Sequence, residues 1–132
     1  MTVTQSDNPA GNYMGLQFCT ASGSARQDTA FQLFTKDNTT QATGSMTIAP
    51  TNGHTYDFYM SLPNVANGVG AGTLSWLLQD KTAGTQASGT TQANLPLVNT
   101  ALAPFMQVNT VPSGSAVAKA LKWTSMYVES QA

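Results

Sequence analysis

Short apolar runs separated by spacers rich in Gly, Ser, Asn and Thr are the feature that most constrains the fold of this chain. Three of the spacers read TKDNTTQATG, PNVANGVGAG and KTAGTQASGTTQAN. Turn-forming residues at such close intervals leave room for strands of about 4–8 residues but not for ordinary helices. No window repeats an apolar stripe at the helical spacing of about 3.6 residues. The sequence therefore predicts an all-β protein, an antiparallel sandwich or barrel with almost no helix.

This alternation of apolar runs and turn-forming spacers predicts seven strands in a single domain. The 132 residues suffice for one core but not for two. Residues 1–12 are small, polar and interrupted by Pro9 and Gly11, which predicts a flexible N-terminal arm, and residues 13–132 form the domain. We predict strands near 13–20, 30–35, 44–50, 54–61, 73–79, 97–108 and 116–129.

The dipeptide Asn52-Gly53 predicts a tight hairpin between the third and fourth strands. Asn followed by Gly tolerates the two positive φ angles of a type I′ turn. Residues 44–61 would then pair in antiparallel fashion, with Tyr56, Phe58 and Met60 facing inward on one side of the fourth strand. Two further residues of this segment, His54 and Asp57, would point to opposite faces, which argues against an acid–base pair between them.

Charge and composition exclude two classes of partner. Only five basic and six acidic residues are present, and the net charge of −1 offers no electrostatic footprint for nucleic acid or an anionic membrane. No apolar run approaches the roughly 20 residues of a membrane-spanning helix. Thr, Ser, Asn and Gln supply 49 of the 132 residues, a polarity that suits sheets. The single cysteine, Cys19, is predicted to be a small buried hydrophobic residue. Because it cannot form an internal disulfide, we expect the protein to be assembled in a reducing compartment.

A search for catalytic chemistry yields no convincing site. Asp57 and Glu129 are the only acidic pair on predicted strands. His54 is the only histidine, and no Ser or Cys lies in a nucleophile-elbow motif that would make it a partner of this histidine. The GVGAG segment lacks the Lys-Ser/Thr of a phosphate loop. We therefore predict a non-enzymatic protein with no catalytic residue, no cofactor and no metal. A calcium site made of loop oxygens in TKDNTT stays open as an alternative.

The aromatic residues offer the better candidates for binding. Trp76 lies between Leu74 and Leu78 on one strand parity, which favours a core position. Four other rings are candidates for contact with a glycan or with another subunit, because amphipathic aromatics serve both purposes. They are Tyr13, Tyr59, Trp123 and Tyr127.

The order of segments from Tyr13 to Glu129 resembles the concanavalin-like, or laminin-G-like, β-sandwich domains of bacteriophage virion proteins. The resemblance is carried by GLQFCTASGSA, AFQLFT, IAPTNGHTYDFYMSLPN, GTLSWLLQDKTAGT, GTTQANLP, LAPFMQV and LKWTSMYVES. It implies an antiparallel two-sheet sandwich of jelly-roll or concanavalin-like type. The matched positions are turns and core, so no functional residue is carried over.

The resemblance implies a non-enzymatic structural component of a bacteriophage virion, assembled in the host bacterial cytoplasm. Such a component is a capsid decoration or head fibre, or a subunit of a tail fibre or spike, and it acts by packing against other virion proteins. Domains of this type have further strands before NYMGLQF, so we expect the arm to cross to a neighbour in a homo-oligomer, a trimer in a fibre. The alternative is a carbohydrate-binding module that adsorbs to host surface glycans.

Overall fold

The computed structural model describes residues 11–18, 28–62 and 72–96. Six strands and no helix lie within these ranges, so no described segment could cross a membrane as an apolar helix. The strands are β1 (Gly11–Gln17), β2 (Gln32–Asn38), β3 (Gln41–Ser45), β4 (Tyr56–Ser61), β5 (Leu74–Asp80) and β6 (Thr85–Thr91). The predicted all-β class is confirmed for this part of the chain.

The six strands form two antiparallel sheets with the same topology. The first sheet has the order β1-β2-β3 and the second the order β4-β5-β6. In each sheet an Asp at or next to the end of the central strand begins the turn into the third strand: Asp37, one residue before the end of β2, and Asp80, the last residue of β5. Asp is suited to this position because its carboxylate accepts hydrogen bonds from the backbone of the turn that follows.

The third strand of each sheet has a similar sequence and the same register. β3 reads QATGS and β6 contains QASGT. In the first sheet Leu33 pairs with Gly44, and in the second Trp76 pairs with Gly89, each central residue lying four positions before the Asp. β3 and β6 are therefore equivalent strands, each at an edge of its described sheet.

Side chains from both sheets meet in one buried cluster. Leu33 comes from the first sheet and Leu78 from the second, and both are almost fully buried. Phe31 and Tyr56 add an edge-to-face ring contact between the segments that precede β2 and begin β4, with centroids 5.0 Å apart. The buried members of the cluster are Leu33, Met46, Ile48, Leu74, Leu78 and Leu95.

The inward face of the second sheet follows the predicted alternation. Tyr56, Phe58 and Met60 all pack half-buried against the cluster, as their shared strand parity predicts. Trp76 also packs against it, which agrees with the predicted core position.

Four of the predicted strands match observed strands closely, and one strand was missed. β1, β2, β4 and β5 lie within about three residues of the predictions. β3 begins three residues earlier than predicted, and β6 occupies a segment that was interpreted as a spacer. Gly11 and Asn12, assigned to the arm, begin β1. Residues 1–10, Cys19 and the strands predicted over 97–108 and 116–129 lie outside the described residues.

The predicted hairpin over residues 44–61 is wrong. A turn does form, with the His54 N–H bonded to the Thr51 carbonyl at 3.2 Å and a φ of 81° at Gly53. Asn52 does not have a positive φ, so the turn is not of type I′. The turn joins two different sheets, because β3 pairs with β2 and β4 pairs with β5.

Contacts made by residues 46–51 explain why they do not pair with β4. Phe31 receives the Met46 N–H and donates its own N–H to the Ile48 carbonyl, both at 2.8 Å, across a Thr47 with φ 61°. The segment therefore continues along the first sheet. Its link to β4 is a side chain, since the Tyr56 hydroxyl accepts the Thr51 N–H at 2.7 Å.

Candidate functional site

The outward face of the second sheet presents a broad and nearly uncharged surface. Three rows run across it, and Tyr59, which is 54% exposed, lies in the middle row beside Leu77 and Ser88. Strand alternation places these side chains outward because Phe58 and Leu78 on the opposite parity face the core. We call the surface the Tyr59 face; its members are Asp57, Tyr59, Ser61, Ser75, Leu77, Gln79, Gln86, Ser88 and Thr90.

The chemistry of the Tyr59 face is that of hydroxyls and amides around one ring. Gln79 donates its amide to Gln86 at 3.2 Å, which fixes two neighbouring amides in one row. Asp57 is the only charged member, and Lys81 from the adjacent turn lies 3.9 Å from it with both side chains well exposed. Such an exposed ion pair contributes little to stability. The face therefore suits a neutral partner that offers an apolar patch and hydrogen-bonding groups.

The first sheet differs because its outward face is covered at the central strand. Phe34 and Lys36 point away from the shared core, yet they are only 6% and 5% exposed. Tyr13 pairs with Lys36 on this face and is half-buried. Of the four ring residues predicted as contacts, Tyr13 and Tyr59 thus lie on different sheets, and Trp123 and Tyr127 fall outside the described residues.

His54 contacts a carboxylate that the sequence did not indicate as its partner. Its Nδ1 lies 2.7 Å from Oδ2 of Asp80, and the carboxylate is only 4% exposed. The expectation that His54 and Asp57 stay apart agrees with this geometry, because the ring is turned toward Asp80. The two partners are 26 residues apart in sequence. The antiparallel register of β4 with β5, in which Tyr56 pairs with Asp80, brings them together.

The surroundings of Asp80 identify a structural role for this pair. Oδ1 of Asp80 accepts the N–H groups of Thr82 and Ala83 at 3.0 and 2.9 Å, while Oδ2 takes the His54 ring. Burial acts to raise the pKa of the Asp80 carboxyl. The N–H of Ala83, the His54 ring and the N–H of Thr82 outweigh burial and hold this pKa below 3.8. The carboxylate is therefore ionised at neutral pH, and Nδ1 must carry the proton that they share.

Asp37 closes the equivalent turn of the first sheet with neutral donors. Its Oδ1 accepts the N–H of Thr40 at 2.8 Å and both the hydroxyl and the N–H of Thr39 at 2.9 and 3.1 Å. These bonds, led by that of Thr40, lower the pKa of Asp37. Within the described ranges no cluster of three or more His, Cys, Asp or Glu could hold a metal ion. The calcium alternative in TKDNTT, which would use loop oxygens, stays a prediction.

An open groove of about 250 Å³ lies between β3 and β6. Residues 42–45 form one side, Thr90 and Thr91 the other, and Leu33 and Trp76 contribute apolar surface. None of the described side chains that line it is charged. The sequence signal that could have indicated it is the repeated Q-A-(T/S)-G-(S/T) pattern, which places small residues on the inward side of both strands.

No protein-family model, curated protein or solved structure matches the chain.

Proposed function

We propose that the chain is a non-enzymatic structural component of a bacteriophage virion and that it packs against another virion protein through the Tyr59 face. The observation that carries this proposal is the difference between the two outward sheet faces. The first is covered at its central strand, while the second exposes an aromatic ring among nearly uncharged side chains. A face with a single charged member meets a protein partner at a low desolvation cost.

The placement of the segments that resemble phage β-sandwich domains supports the proposal. TYDFY enters β4, the Trp-containing segment forms β5, and DKTAGT forms the turn into β6. The two sheets also contribute to one buried cluster, which is the arrangement expected of a two-sheet sandwich of jelly-roll or concanavalin-like type.

The roles of the described acidic groups fit a packing protein. Asp37 and Asp80 close turns, and Asp57 is exposed beside Lys81. The His54 ring is held by Asp80 and stacks near Tyr56 at a centroid distance of 6.3 Å. Each of these groups has a structural partner that explains its position.

A carbohydrate-binding module is the second candidate, favoured by the composition of the Tyr59 face. An exposed ring can stack on the apolar face of a pyranose while flanking hydroxyls and amides bond its hydroxyl groups. Ser61, Ser75 and Gln79 lie next to Tyr59 or diagonal to it in the register and could supply those bonds. Host surface glycans would be the ligands.

Replacing Tyr59 tests both candidates. In the Tyr59→Ala variant we expect binding to virions that lack the chain to fall at least about tenfold, because interface rings are frequent hot spots. Tyr59→Phe, the matched control, should retain most of the binding, since it keeps the ring. Unchanged virion binding by Tyr59→Ala would overturn the packing proposal. Selective binding of one glycan class on an array, abolished in Tyr59→Ala, would establish the alternative.

A further inference from the structure

We propose that two copies of this chain pair through the β3 edge, antiparallel and about a two-fold axis beside Thr43. The pairing would join the two first sheets into one continuous sheet of six described strands. The inference goes beyond the proposed function, because it concerns self-association and uses a different surface from the Tyr59 face.

The exposure pattern of β3 sets it apart from the other strands. Thr43, Gly44 and Ser45 are exposed in succession, whereas exposure in β6 alternates. Three exposed residues in a row mean that the backbone itself faces solvent, not only one set of side chains. Among the described residues no strand lies beside β3 on the side away from β2. An exposed edge of this kind is a template for strand pairing.

β3 also lacks the devices that keep edge strands apart. Its sequence, QATGS, contains no charged residue and no proline. Natural proteins use Lys, Pro or bulges to prevent edge-to-edge contact. The absence of such protection on a strand with three exposed residues in succession favours a partner strand.

The sequence of β3 is complementary to itself in antiparallel pairing. With Thr43 opposite Thr43 of the second copy, Ala42 faces Gly44 and Gln41 faces Ser45. No like charges meet, and cross-strand Thr pairs are favourable. A two-fold contact of identical patches is also the commonest way in which homodimers form.

The groove beside β3 gives the second copy a further surface to cover. At Gly44 a Cβ would meet no atom of the described residues within 4 Å, while at the equivalent Gly89 the Trp76 ring already fills that space. Of the two equivalent edges in the described part of the chain, β3 is therefore the open one. A second copy on this edge would cover the groove without burying a charge, since none lines it.

Thr43→Lys tests the pairing, with Ser88→Lys as the matched control at the equivalent position of β6. By analytical ultracentrifugation at micromolar concentration we expect the native chain and Ser88→Lys to dimerise. The dissociation constant of the Thr43→Lys dimer should be at least about 100-fold higher than that of the native dimer, because two ammonium groups would meet at the axis. Unchanged β-sheet circular dichroism would show that the variants fold.

Cross-linking supplies a second measurement that does not depend on disruption. In a Cys19→Ala background, Thr43→Cys should form a disulfide-linked dimer on mild oxidation, while Ser88→Cys should not. A monomeric native chain, or an oligomer that Thr43→Lys leaves intact, would overturn the inference. Loss of association in Ser88→Lys alone would also overturn it, and would place the contact on the Tyr59 face.

Discussion

The two described sheets have the same topology but differ in how their outward faces are covered. Phe34 and Leu77 occupy equivalent positions, each three residues before the Asp that begins the turn into the third strand. Phe34 is 6% exposed, whereas Leu77 is half-buried on an open face. The first sheet is thus a buried layer at its centre, and the second provides the surface on which a partner can pack.

The two turn-closing aspartates show the same contrast on a smaller scale. Asp37 and Asp80 each accept N–H groups from the residues two and three positions later. Among the described contacts of these two carboxylates, one reaches a side chain outside its own hairpin, the contact of Asp80 with the ring of His54. In the first sheet the Asp carboxylate therefore closes only its own turn. In the second sheet it also binds the turn to the segment that connects the two sheets.

The largest expected effect concerns the two outward-facing central residues. Phe34→Ala should lower the free energy of unfolding by about 3–5 kcal/mol, because it removes a buried ring and leaves a cavity. Leu77→Ala, the matched change on the open face, should cost about 1–2 kcal/mol, since that side chain is only partly removed from water. Urea unfolding measures both values. Equal costs would show that the two outward faces are not covered differently.

The equivalent glycines of β3 and β6 give the next largest difference. A Cβ at Gly89 would lie 2.8 Å from the Trp76 ring, so Gly89→Ala should destabilise the protein by about 1–3 kcal/mol. At Gly44 a Cβ meets nothing, and Gly44→Ala should be neutral or stabilise by up to about 1 kcal/mol. Thermal unfolding can compare the pair. A destabilising Gly44→Ala would contradict the open groove at β3.

Sequence patterns predicted the strands that have an apolar side, and they missed the strand that does not. β4 and β5 alternate or cluster large apolar residues, so their positions could be read directly. β6 presents only Ala87 and Gly89 to the inside between Thr, Gln and Ser, because Trp76 supplies the bulk from the neighbouring strand. Its strand character depends on pairing with β5, which no local pattern reveals.

The candidate site was predictable in part for the same reason. Tyr59 could be assigned to the open face because Phe58 and Met60 on the other parity are plainly core residues. The partner of His54 could not, since it depends on the pairing of β4 with β5, whereas Asn52-Gly53 suggested a hairpin between β4 and the segment before it. A turn signal fixes where the chain reverses, but the strands that it joins are decided by tertiary packing.

The smallest expected effect is a difference in acid sensitivity between the two aspartate turns. Both carboxyls have a pKa below 3.8 in the folded state, so the unfolded chain binds more protons at acid pH. Stability from each is then fully present above its ordinary pKa and is lost as pH falls through the lower pKa of the folded state. Asp80→Asn should reduce the dependence of the free energy of unfolding on acid pH more than Asp37→Asn does. The reason is that Asp80 is also attracted by the charge of His54, whereas the described donors to Asp37 are neutral. Urea unfolding of both variants at a series of acid pH values tests this order. A steeper residual slope in Asp80→Asn than in Asp37→Asn would mean that the His54 contact does not set the acid response of the second sheet.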